Sequence, residues 1–164
     1  MQGGASKGHR KMTEKEKRKG QCFMLEKRTD VGEARFSLII RGQQLPFEEL
    51  SRQLDKADAR MVRQGDVLNQ LPRIVAPEDE WVYTVALTNP EGEDAALNAL
   101  LADMDARQAQ LKQIAATCQV TMRLYIQSDR AQIAYRLMPE TLKRLVSTGL
   151  PLDITSLSWG EIGI

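Results

Sequence analysis

The sequence predicts a single α+β domain: a largely antiparallel sheet of about five to six strands, with three helices packed mainly on one face. Three observations carry that reading. Segments with apolar residues at every second position are interspersed with segments whose apolar residues recur every three or four. Prolines stand where short helices should begin, and glycines stand where chains should turn. The length of 164 residues suits one hydrophobic core.

The first expected strand is EARFSLIIRG, residues 33–42, with Phe36, Leu38 and Ile40 on one face and Arg35, Ser37, Ile39 and Arg41 on the other. Pro46 should open a helix at a position where its missing N–H costs nothing. Glu48 and Glu49 complement the positive end of that helix, and Phe47, Leu50 and Leu54 form its buried stripe. Residues 58–80 read as irregular, apart from a short strand at 61–63 and a turn at Gly65–Asp66. A strand over 81–88 follows, with Trp81, Tyr83, Val85 and Leu87 inward.

The longest helix is expected over residues 93–117. Its stripe is Leu97, Leu101, Met104, Leu111 and Ala115, while Asp103, Asp105, Arg107 and Lys112 face water. A hairpin should come next. Met122, Leu124 and Ile126 point inward on its first strand, and Ile133, Tyr135 and Leu137 on a return strand over 132–138. Pro139 opens the last helix, Gly149 ends it, and PLDITSL closes the domain as a strand. The passages around Pro46 and Pro139 share one order: strand, proline-led amphipathic helix, return. The fold class therefore includes an internal strand–helix repeat on one sheet, arising by duplication or by two uses of the same helix-start chemistry.

Charge divides the chain. Residues 1–28 hold nine Lys or Arg against three Glu, and the remainder holds fourteen against nineteen acids. The basic segment has too few large apolar residues to offset the entropy of ordering, so residues 1–28 are expected to be a disordered arm and residues 29–164 the domain. Such an arm serves as a tether to nucleic acid or an acidic surface, or as a solubilising tail. An expression remnant, or a true start at Met12 or Met24, explains it too, and together with the solubilising tail these ordinary readings outweigh the tether.

The chemistry is bounded mainly by what is missing. The sole histidine, His9, falls in the arm, which removes Ser–His–Asp and Cys–His catalysis from the domain, and most zinc chemistry with it. Neither phosphate-cradling glycine motif occurs. Cys22 and Cys118 match no metal-ligand spacing and read as reduced thiols, Cys118 as a buried one. No apolar run approaches a membrane span and no secretory signal is visible, so a cytoplasmic location is expected. No catalytic residue, metal or cofactor is expected.

The order of ARFSLIIRG, a proline-led helix, Gly65–Asp66, Trp81, a long Leu-rich helix and LPLDITSL resembles a bacterial family known as domain of unknown function 4279. The resemblance spans residues 33–158. It implies a compact α+β domain without an established activity. Some small bacterial domains of this kind act as immunity proteins beside toxin genes, which is the functional hint that the resemblance carries.

The expected open sheet face bears Arg35, Arg41, Arg123, Tyr125 and Arg136. Guanidinium groups gathered there would form a positive patch able to hold carboxylates or phosphates in paired hydrogen bonds. A polar solvated face is the ordinary alternative. In the 64–80 region Asp66 and Trp81 are candidates, against a plain turn and plain core packing respectively. The leading expectation is a non-enzymatic domain that holds a protein partner through the open face or the 64–80 loop. Nucleic-acid binding through the arm and the arginine face is one alternative, although a single face aromatic, Tyr125, is a poor stacking platform for RNA. A carboxylate-based enzyme is the other. Deleting residues 1–24 should leave the thermal transition nearly unchanged; a loss beyond about 3 °C by calorimetry would show that the arm docks.

Overall fold

Strand β1, Glu33–Gly42, is the middle of the sheet. The computed structural model describes residues 32–88, 94–129 and 133–159, so the basic arm, with His9 and Cys22, lies outside the described residues. After β1 come α1 (Phe47–Leu54), β2 (Arg60–Val62), β3 (Val67–Gln70), β4 (Arg73–Val75) and β5 (Asp79–Ala86). Helices α2 (Ala95–Ala106) and α3 (Gln108–Ala115), strand β6 (Gln119–Ser128), helix α4 (Pro139–Ser147) and strand β7 (Leu152–Ser158) complete the order.

The five-stranded sheet runs β2-β5-β1-β6-β7, and β3 and β4 form a separate two-stranded ribbon. Three of the neighbouring pairs are antiparallel, but β6 and β7 are parallel, so the sheet is mixed. Strands β1 and β2 are both antiparallel to β5, and β5 and β6 are both antiparallel to β1. Three connections therefore join strands that point the same way: β1 to β2, β5 to β6, and β6 to β7. In each, travel across the sheet bears the same relation to strand direction, so crossovers of one hand place every helix on one face. The buried cluster agrees. Phe36, Leu38, Ile40, Trp81, Met122 and Leu124 from the sheet meet Leu50, Leu54, Leu97, Leu101, Leu111 and Leu145 from the helices.

This topology corrects the expected hairpin. Residues 133–138 form no strand; the free edge of β6 is taken by β7, and a parallel neighbour requires a crossover. Ile133, Tyr135 and Leu137 are nevertheless half-buried against the core, with Ala134 and Arg136 exposed between them. The segment keeps the expected alternation of burial without joining a ladder among the described residues. The second copy of the expected repeat thus lacks its strand before Pro139; what the two passages share is a proline-led helix crossing between strands of like direction. Pro46 stands just before α1, its carbonyl accepting Leu50 N–H at 2.9 Å, and Pro139 is the first residue of α4. Gly149 adopts the left-handed conformation, φ +68°, just past α4.

The expected long helix is two helices, making four among the described residues rather than three. An unbroken stripe continuing from Met104 would place Arg107 or Gln108 against the sheet. The chain instead breaks at Arg107 (φ −110°, ψ 22°), whose side chain pairs with Asp103 and Asp55. The turn that follows buries Ile114 in place of the expected Ala115, and the larger side chain removes more apolar area from water. Strands β2 and β5 begin slightly earlier than expected, and the 58–80 stretch, read as largely irregular, contains the β3–β4 hairpin.

Leu101 is fully buried and Leu124 is 2% exposed, on opposite sides of the helix–sheet interface. Truncating either to alanine should cost about 2–5 kcal/mol in chemical denaturation, the usual loss for a core leucine. A near-neutral Leu124→Ala would place the core on the other face of β6.

Candidate functional site

Among the described residues, large apolar side chains stand exposed on the β3–β4 hairpin and around α4 and β7 (Val146, Ile154, Trp159), and the sheet face opposite the helices is polar. The hairpin carries Val67, Leu68, Ile74 and Val75 exposed on its strands, with Leu71 89% exposed at the tip. Consecutive strand residues point to opposite faces, so both faces of the ribbon present apolar side chains. A lone two-stranded hairpin is marginal in water and needs anchoring.

The anchor is a carboxylate cluster at the hairpin root. Asp79, at the start of β5, is 4% exposed. Its two oxygens accept Gln64 N–H and Leu45 N–H, each at 2.8 Å, and Arg63 Nη1–H at 2.8 Å. Arg63 also donates to the Leu45 carbonyl at 2.9 Å and lies over the Phe47 ring at 4.0 Å. Asp66 accepts Arg63 N–H at 2.7 Å, Gly65 turns the chain at φ +88°, and Gly65 and Ala76 close the ribbon through backbone bonds of 2.9 Å. Asp66 is thus held as a turn residue. Trp81 is fully buried, its indole N–H donating to Ser51 Oγ at 3.0 Å, so its ring is unavailable to stack on a ligand. Core packing accounts for it, because its position in β5 faces the helices.

On the sheet face, the register aligns Thr84, Ser37, Arg123 and Asp153 in one row across β5, β1, β6 and β7. The next row brings Arg35 beside Tyr125, with the guanidinium 5.1 Å from the ring centre. Each of these arginines has an acidic neighbour. Arg35 pairs with Glu33 at 2.7 Å and Arg41 with Glu80 at 2.6 Å, while Arg123 approaches Asp153 only to 3.8 Å. Arg136 does not join them. It is exposed on the 133–138 segment, off the sheet, and has no ion pair among the described residues. The expected positive patch is therefore balanced: Arg35, Arg41, Arg60 and Arg123 face Glu33, Glu80, Asp58 and Asp153.

Catalytic geometry is sparse. Among the described residues no group of three or more His, Cys, Asp and Glu side chains is placed to hold a metal ion. Burial, with the charge of Asp94 adding to it, pushes the Tyr135 phenol up to about 12, so it stays protonated at neutral pH. Cys118 is half-buried rather than fully buried and lies near Gly42. No helix among the described residues is long and apolar enough to cross a membrane.

The hairpin residues Leu68, Leu71 and Ile74 were not singled out by sequence reasoning, nor was Asp79. A signal existed in VLNQLPRIV, two apolar pairs flanking a proline turn. A family model described as "Domain of unknown function (DUF4279)" matches residues 32–159. No curated protein and no solved structure matches the chain.

Hydrogen bonding holds the Asp79 carboxyl below the usual carboxylate range, the Gln64 amide contributing most. A folded pKa below the unfolded value of about 4 adds stability at higher pH, which is lost as pH falls through the folded value. Asp79→Asn should therefore lower stability at neutral pH and flatten the acid limb of the stability–pH curve. Amide exchange at Gln64 and Ala76 should rise, showing a loosened hairpin root; an unchanged acid limb would count against the clamp.

Proposed function

The chain belongs to the DUF4279 family, and from that premise and its anchored apolar hairpin we propose that it is a protein-interaction domain with no chemistry of its own. The observation that carries this is the β3–β4 ribbon: five large apolar side chains stand in water on a two-stranded element that the Asp79 cluster fixes to the sheet. Exposed apolar clusters of this kind characterise interaction surfaces, because leaving them in water forgoes hydrophobic stabilisation that a partner restores. The sharpest version is an immunity-like role in the cytoplasm, with the hairpin seated on a toxin.

The alternatives have less support. Nucleic-acid binding across the sheet face would require phosphates to displace Glu33 and Glu80 from arginines already held at 2.6–2.7 Å. A carboxylate-based enzyme would need an acid free to act, and of the two acids that share a hollow on the sheet face, Asp58 and Glu80, Glu80 is already tied to Arg41 and Arg60.

The test uses the product of the gene next to this one, copurified with the wild-type chain and with the double variant Leu71→Asp, Ile74→Asp. Wild type should form a complex. The variant should lose at least about 2 kcal/mol of binding, some thirtyfold in Kd. Its thermal transition should stay within about 2 °C, because exposed positions carry little stability. Undiminished binding by the variant would remove the hairpin as the contact. Failure of the wild-type chain to bind a neighbouring toxin would remove the immunity version.

A further inference from the structure

The sheet face holds an open bowl of about 400 Å³ between β2, β5, β1 and β6. Its rim includes Arg35, Arg60, Arg123 and Asp58, and its floor includes Ile39 and Val82. Arg123 Nε is closed to solvent and has no hydrogen-bond partner among the described residues, although the side chain as a whole is 35% exposed. A buried N–H without a partner is uncommon in a folded protein, and it marks a donor awaiting an acceptor. Beside it, Ser37 and Thr84 share one hydroxyl–hydroxyl hydrogen bond of 2.8 Å. That bond uses one of their two O–H protons and leaves the other free to donate.

We propose that this bowl binds a monocarboxylate with a short apolar body. The carboxylate would take the Nε/Nη edge of Arg123 in paired hydrogen bonds and the spare hydroxyl of the Ser37–Thr84 pair. A modest rotation of the guanidinium turns that edge into the bowl, and the loose 3.8 Å approach to Asp153 does little to oppose it. Charge favours a monoanion. The lining carries Arg35, Arg60 and Arg123 against Asp58 and Glu80, and with Arg41, Glu33 and Asp153 beside them the surroundings are balanced. A single carboxylate charge is therefore accommodated more readily than a phosphate dianion. Ile39 and Val82 supply an apolar floor, and the volume lies in the range of small-ligand sites. The same chemistry could come from a free aliphatic acid or from the C-terminus of a peptide with an apolar last residue. The bowl is on the sheet and the proposed protein contact is on the hairpin, so failure of either leaves the other standing.

The experiment is NMR titration of the full chain, observing the arginine Nε–H signals. The probes are hexanoate, N-acetyl-leucine, N-acetyl-leucine amide and inorganic phosphate. Saturable shifts of the Arg123 signal are expected with one or both carboxylates and not with the amide. Hexanoate binding at least as tightly as N-acetyl-leucine identifies a free acid, and the reverse order identifies a peptide terminus. Arg123→Gln should weaken binding roughly tenfold or more, the worth of a charge-assisted hydrogen bond, and Ser37→Ala by a smaller factor. Should Arg123→Gln fail to fold, Arg123→Lys keeps the charge but lacks the paired edge, and should show a comparable loss. Equal binding of the amide, tighter binding of phosphate, no saturable shift, or full affinity in the folded Arg123 variants would each overturn the proposal.

Discussion

The inward row of β1, Phe36, Leu38 and Ile40, is the surface on which the fold is assembled. Strand β1 has a partner along both edges, and its three side chains are at most 3% exposed. The row is continued by Trp81 on one side and by Met122 and Leu124 on the other, giving the helices one apolar plane to cover. Because all three crossovers relate strand direction and travel in the same way, none of the described helices is left for the second face. A polar open face is thus a consequence of strand order rather than a separate feature of the chain.

That consequence decides what the face can do. Arginines placed there sit beside carboxylates, Arg41 and Arg60 across strands from Glu80 and Arg35 beside Glu33 on its own strand, and ion pairing replaces the positive field that their number suggests. Arg123 differs because its carboxylate neighbour, Asp153, is on the parallel edge strand and stands 3.8 Å away. A donor left over by pairing is a more specific feature than net charge, since it has direction as well as sign.

The hairpin poses the opposite problem. Its strands bury almost nothing, so its position rests on polar chemistry at the root. Asp79, the first residue of β5, ties Leu45, two residues before α1, to Arg63 and Gln64 just after β2. Desolvating a carboxylate is costly, and here backbone amides and Arg63 offset that cost. The arrangement fixes an apolar ribbon outside the core without burying its apolar residues.

How much of this was legible in the sequence follows from the range of each interaction. Strand β1, the proline-led helices, the inward residues of β5 and β6, and the glycine after the last helix depend on periodicity and on local backbone preferences, which any short segment carries within itself. The two-helix break at Arg107, the parallel pairing of β7 and the loss of the expected 132–138 strand depend on which edge and which volume other segments leave free. The candidate site divides in the same way. Alternation along the strands placed Arg35, Arg41, Arg123 and Tyr125 on one face, but Arg136 followed the same alternation in a segment that joins no ladder among the described residues. Asp79 and Trp81 stand two residues apart on one strand. Only the tertiary structure decided that the acid would be an anchor and the indole part of the core, because that depended on the amides, the guanidinium and the serine that three distant segments bring to them.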